Sequence, residues 1–164
     1  HMRHLEWQPT DRADYLPDLA ARIAEEGTPN LLPPLELDVL QEHWPPVTAD
    51  AVYSANTLHI MSWPEVEAFF SGVGQALAVG GVLVVYGPFR YAGNFTSESN
   101  AVFDRSLRER DPASGIRDIE AVNRLAETQG LAFTADHAMP ANNQLLVWSR
   151  RVAVPRPPTG QGCR

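Results

Sequence analysis

A chain of 164 residues with 44% hydrophobic content can bury one self-supporting core, so a single domain is expected. Its net charge of −7 argues against nucleic acid and anionic membranes as partners, because affinity for phosphates rests on lysine and arginine displacing counterions. The one cysteine, Cys163, excludes an intrachain disulfide and a cysteine metal cluster, and the most apolar run, residues 82–86, is far too short to cross a bilayer; a soluble, cytoplasmic protein is expected.

His1 and Met2 resemble the scar of a removed tag, so residues 1–4 are read as a remnant or start and residues 5–150 as the domain. Leu5 and Trp7 alternate with polar neighbours and predict a first strand. Leu16, Leu19, Ala20 and Ile23 then fall at helical spacing, with Gly27 as a left-handed stop. Pro33 and Pro34 exclude helix and lead into a strand over residues 35–39. After a turn at Trp44, Pro45 and Pro46, a third strand covers residues 51–55.

Ser62 and Glu65 form a capping-box signature ahead of a buried stripe of Val66, Phe69, Phe70, Val73 and Leu77. Gly80 and Gly81 are expected to end that helix. Residues 82–86 are β-branched and apolar on both faces, as a central parallel strand requires. A polar loop over residues 90–99, with the character of a lid, precedes a helix carrying Phe103 and Leu107. A further helix holds Ile119, Val122, Leu125 and Ala126 and stops at Gly130. Strands over 131–135 and 144–149, joined by a short connection, make the last strand antiparallel. Residues 151–164, rich in proline and glycine, predict a flexible tail.

Apolar strands alternating with helices indicate an α/β fold, and in such sheets ligands collect beyond the carboxyl ends of the strands. Asp11 stands there as an acceptor for two ribose hydroxyls or as a helix N-cap. Asp38 can receive an adenine amino group or simply close a turn. His59 is the candidate catalytic residue, able to exchange a proton near neutrality or orient a methyl donor, with a structural hydrogen-bonding role as the alternative. No second histidine or carboxylate stands at metal-ligand spacing, so no metal is expected. The chain contains no GxSxG, GxxxxGK[ST] or HExxH motif.

Trp7-Gln8-Pro9-Thr10-Asp11, Leu37-Asp38-Val39, the stretch from Asn56 to Ile60, Tyr86-Gly87-Pro88-Phe89, Ser99-Asn100 with Phe103-Asp104, Gly115-Ile116-Arg117-Asp118 and Met139-Pro140-Ala141-Asn142-Asn143 occur here in that order. Together they resemble the small methyltransferase-like family of unknown function that includes methyltransferase-like protein twenty-six. The resemblance implies a Rossmann-like class I methyltransferase sheet, mostly parallel with an antiparallel C-terminal strand, and S-adenosylmethionine (SAM) as cofactor. It assigns Asp11 to the ribose and Asp38 to the adenine side, with Asn56 and Leu58 beside the methionine portion. Tyr86, Asn100, Asp104, Arg117, Asp118, Asn142 and Asn143 would line the pocket of a small-molecule acceptor.

Members of that family begin with a strand and a Gly-x-Gly turn that cradles the cofactor, and nothing before Leu5 supplies either. The chain is therefore expected to be an N-terminally truncated methyltransferase in which SAM binding and methyl transfer are impaired or lost. The alternative is a non-catalytic binding module that keeps the fold. Six apolar residues in the missing strand correspond to on the order of 10 kcal/mol of burial, comparable to the net stability of a domain. Such a loss is expected to be met by a homodimer that covers the exposed strand edges, with direct pairing of the strands flanking the gap, or a fragment whose N-terminal part is absent, as the alternatives.

Overall fold

The computed structural model describes residues 3–151. The tag remnant at His1 and Met2 and nearly all of the tail expected over 151–164 lie outside the described residues. The chain folds as alternating strands and helices in three hydrogen-bonded sheets that combine parallel and antiparallel pairs.

The N-terminal segment forms little regular sheet. Trp7 makes only an isolated parallel bridge to Leu31. The ladder proper is β1 (Thr10–Asp11), paired in parallel with β2 (Leu35–Glu36). The strand expected at Leu5 and Trp7 thus begins later, because Pro9 has no N–H to give the ladder and contributes only its carbonyl, which accepts from the Leu35 N–H at 3.0 Å. The second strand stops at Glu36 rather than running to residue 39. Asp38 turns the chain there: its side-chain Oδ1 accepts from the Leu40 N–H at 2.9 Å and its carbonyl from the Gln41 N–H at 3.1 Å.

Between β1 and β2 lie a short 3-10 turn, Ala13–Tyr15, and helix α1 (Leu16–Glu26), which has a proline in its first turn and half-buries Leu16, Leu19 and Ile23. Its stop differs from expectation. Gly27 has an ordinary φ of −66° and caps by donating to the Ile23 carbonyl, without a left-handed residue.

The rest of the chain builds the core. Strand β3 (Ala49–Ala55) leads through a turn to α2 (Trp63–Ala76), β4 (Leu77–Gly87), the small hairpin β5 (Phe89–Tyr91) and β6 (Asn94–Phe95), α3 (Glu98–Arg110), β7 (Arg117–Asp118), α4 (Ile119–Thr128), β8 (Leu131–Met139) and β9 (Asn143–Arg150). The main sheet has the order β3-β4-β9-β8. Strands β3 and β4 are parallel, while β9 runs antiparallel to both β4 and β8, as the short 139–143 connection predicts. The lid-like loop expected over 90–99 contains the β5/β6 hairpin, whose turn residues Ala92 and Gly93 take positive φ.

The capping box of α2 is present in full: the Ser62 N–H donates to Glu65 Oε2 at 2.6 Å and the Glu65 N–H to Ser62 Oγ at 3.4 Å. Phe70 meets Trp148 of β9 edge-on at 6.0 Å, and Trp148 Nε1 donates to Asn123 Oδ1 at 2.8 Å. The expected glycine stop is not what ends α2. The helix passes straight into β4 at Leu77, and Gly80 and Gly81 sit inside the strand where its register against β3 shifts. Gly80 has φ +82°, and a side chain on Gly81 would come within 2.8 Å of the Asp50 carbonyl, so both glycines serve a bulge.

Every fully buried residue lies at or beyond Ser54, and residues 3–50 contribute none. Among the described residues, no helix is long and apolar enough to cross a membrane.

Candidate functional site

Among the described residues strands β1 and β3 are both edges, each hydrogen-bonded on one side only. Between them runs a groove made of two adjoining cavities of about 450 and 470 Å³. Both cavities are lined by Thr10, Asp11, Leu37, Trp44, Val52 and Tyr53, so they form one continuous trough. One end is apolar, with Leu19, Leu31 and Leu35 on one wall and Ala51 and Ala76 on the other. The other end opens at the carboxyl ends of the strands, where Asp11 and Asp38 face Ser54, Thr57 and Met61.

Asp11 and Asp38 are therefore brought together on one rim. Asp11 is not a helix N-cap, a position held by Arg12 ahead of the 3-10 turn. Its Oδ1 accepts the Arg12 N–H at 2.8 Å. Its second oxygen remains an acceptor. Asp38 pairs with the Arg12 guanidinium at 3.6 Å, an exposed contact. Arg12, Trp44, Ser54, Thr57 and Met61 were not marked by the sequence, because no motif sets them apart and only the pairing of β1 with β2 and the β3 turn brings them to the trough.

Asn56 opens the turn after β3 with φ +58°, and its N–H donates to the Tyr86 carbonyl at 2.8 Å. Leu58 is a core residue, 4% exposed. His59 follows on the side of the turn facing β4. A Cβ placed on Gly87 would lie 3.7 Å from His59 Nδ1 and 3.8 Å from Asn56 Oδ1, at ordinary contact distance, so both polar groups sit against the end of β4. His59 is 6% exposed and touches the edge of the Phe103 ring at 5.3 Å between centroids. Among the described residues its imidazole has no hydrogen-bond partner. Burial, then the nearby cations Arg117 and Arg110, push its pKa below the usual 6.5, so the neutral imidazole is favoured.

The expected acceptor-pocket residues fall into three groups. Tyr86, Asn100, Asn142 and Asn143 form two pairs that meet at the 142–143 backbone: Asn143 Nδ2 donates to the Tyr86 hydroxyl at 2.9 Å, and Asn100 Nδ2 to the Asn142 carbonyl at 3.0 Å. Asn142 Nδ2 reaches Ser99 Oγ at 3.3 Å, which fastens the β8–β9 connection to the start of α3. Asp118 receives the Arg90 guanidinium and the Gly93 N–H, and so anchors the β5/β6 hairpin. Asp104 and Arg117 are engaged by protein groups: Asp104 accepts the Ile116 N–H at 2.7 Å and Arg108 Nε at 2.8 Å, while Arg117 donates only to backbone carbonyls. Among the described residues no cluster of three or more His, Cys, Asp or Glu side chains forms a metal site.

Solved methyltransferases share this architecture. PigF with SAH aligns with a TM-score of 0.74 at 12% identity, covering 88% of this chain and 48% of PigF. An O-methyltransferase family protein from Burkholderia thailandensis gives 0.74 at 16% identity, covering 90% and 44%. The S-adenosylmethionine-dependent methyltransferase SibL, in its apo form, gives 0.73 at 20%, covering 88% and 43%. The chain thus spans less than half the length of each. Its fold is α/β, matching Rossmann-like class I methyltransferase structures. Residues 1–150 match the family described as "Protein of unknown function (DUF938)", and the chain belongs to that family.

Proposed function

We infer that this chain is a methyltransferase-like protein whose trough takes SAM and whose His59 side faces a small-molecule acceptor. The resemblance of the sequence motifs to a small methyltransferase-like family supports the same reading. The observation that carries it is the pairing of two features across β3. On one side two carboxylates stand at the mouth of an apolar trough, and on the other His59, a residue 6% exposed, carries an imidazole whose pKa is lowered by burial and which makes no hydrogen bond among the described residues.

The residues of the trough suit an adenosine. Asp11 keeps one carboxylate oxygen for a ribose hydroxyl, and Leu37, Val39, Val52 and Phe69 provide an apolar bed for a purine. SAM, when bound, supplies an electrophilic methyl group on sulfur. His59 can accept the proton that a hydroxyl or amine acceptor gives up, since its lowered pKa favours the neutral ring and, among the described residues, no group bonds its nitrogens. In this reading the protein's main task is to hold the acceptor in line with the methyl group.

A second reading, a binding module without turnover, is favoured by one observation. Among the described residues no strand lies between β1 and β3, so the trough is open along its length.

Calorimetric titration with S-adenosylhomocysteine decides between them. Micromolar binding that weakens at least about 10-fold in Asp11→Ala is expected for the methyltransferase reading, the loss of a charge-assisted hydrogen bond being worth about 1.5–3 kcal/mol. No heat from folded protein would leave the binding module.

A further inference from the structure

The turn that carries His59 is held in an unusual way. Four consecutive carbonyls, those of Leu58, His59, Ile60 and Met61, all accept from one distant segment. Arg117 Nε donates to Leu58 O at 2.9 Å, the Gly115 N–H to His59 O at 2.9 Å, Ser114 Oγ to Ile60 O at 3.2 Å, and the Arg117 terminal nitrogen to Met61 O. The same guanidinium nitrogen closes on Ala113 O at 3.1 Å. Gly115 permits the close approach: its φ is +145°, and a Cβ there would come within 2.9 Å of Asp104 Oδ1 and into the Arg108 guanidinium.

We propose that Arg117 is a positioning residue for the methyl-transfer reading above, acting with Ser114 and Gly115 to fix the 58–61 turn so that the His59 imidazole faces the acceptor side in one orientation. The proposal rests on that reading for its chemistry and on the hydrogen bonds for its geometry. A planar guanidinium reaches Leu58 O and Met61 O at once because its donors are set in a rigid fork, which a lysine cannot reproduce. Among the described residues no carboxylate is bonded to the cation. Asp104 and Asp111 act on it through space only, and Arg108 and Arg90 oppose it.

The charged groups that act on His59 are Arg117 from β7 and Arg110 from the end of α3. Both are cations, so the cradle that orients the ring also discourages its protonation. Arg117 is 9% exposed, and Trp63 lies 6.0 Å beneath its guanidinium, which keeps solvent from screening that charge.

The test is an NMR titration of the histidine-labelled chain, with the His59 signal assigned by its loss in His59→Gln. In wild type the ring is expected to stay neutral below the ordinary histidine range. In Arg117→Gln its titration should move upward, because a like charge is gone, and its ring relaxation should show added nanosecond motion. Arg117→Lys keeps the charge and loses the fork, so it should titrate like wild type but show the added motion. Should Arg117→Gln fail to fold by circular dichroism, Arg117→Lys alone carries the orientation test.

Unchanged titration and ring motion in folded Arg117→Gln, or unchanged ring motion in Arg117→Lys where the glutamine variant does not fold, would overturn the proposal. Neither readout needs SAM. A failed S-adenosylhomocysteine titration with the His59 shifts intact would instead strike the functional reading, so the two failures are separable.

Discussion

The two walls of the trough are built to different standards. Residues 51–151 carry strands of up to eleven residues and a continuous core of Phe70, Val73, Leu83, Val85, Leu146 and Trp148. Residues 3–50 have two-residue strands β1 and β2 and no fully buried side chain, yet they hold both carboxylates of the candidate cofactor rim. The carboxylate rim and the packed core are therefore segregated, while His59 sits with the core. The wall that would grip a ligand is the one with the least packing of its own, which makes it the part whose order a ligand can most readily improve.

Damage to the packed wall should have the largest effect. Trp148→Ala removes a side chain that is 0% exposed and packs edge-on against Phe70, and should cost about 3–5 kcal/mol in chemical denaturation. Both walls are expected to unfold together in that variant, since the N-terminal segment has no core with which to persist. A separate, surviving transition for residues 3–50 would break the comparison.

Trp44 is the sharper probe, because it joins the walls. Its indole packs at 6.3 Å from Phe69, its Nε1 reaches Val39 O at 3.4 Å, and it covers Gly72 so closely that a side chain there would run into the ring. Trp44→Ala is half-buried and should cost less than a core aromatic, about 2 kcal/mol. Hydrogen exchange should then show the amides of β1, β2 and α1 losing protection while β4 and β9 keep theirs. Uniform loss across both walls would mean that the N-terminal segment is held by more than this contact.

The same asymmetry decides what could be read from the sequence. The packed wall was legible because its signals are local and redundant. The Ser62 and Glu65 box, the α2 stripe and the apolar run at residues 82–86 each name one element, and the structure has them all. The thin wall was misplaced by several residues because its ladder depends on which carbonyl meets which N–H across β1 and β2, and prolines shift that choice. Gly80 was misread for a related reason: a glycine between a helix and a strand can cap the one or bulge the other, and only the β3 register tells which. The site was half legible. Asp11, Asp38 and His59 stand out by type and place, whereas the Arg117 cradle is made of contacts to backbone carbonyls more than fifty residues away, which side-chain identity does not reveal.

The smallest expected effect comes from protonating His59. The folded protein holds this imidazole's pKa below its ordinary 6.5, through burial first and the Arg117 and Arg110 charges next. Above about 6.5 the ring is neutral in both folded and unfolded chains and adds no pH dependence. As pH falls below that value, the unfolded chain takes up the proton before the folded one does. Unfolding then binds protons, so stability contributed by the neutral ring is lost on acidification and regained as pH rises. The slope of unfolding free energy against pH, measured from about 6.5 downward, should thus be smaller in His59→Gln than in wild type, and smaller in Arg117→Gln as well. Equal slopes would mean that His59 titrates alike folded and unfolded. The imidazole would then be open to solvent in solution, and the packed wall would not extend to the turn that presents it.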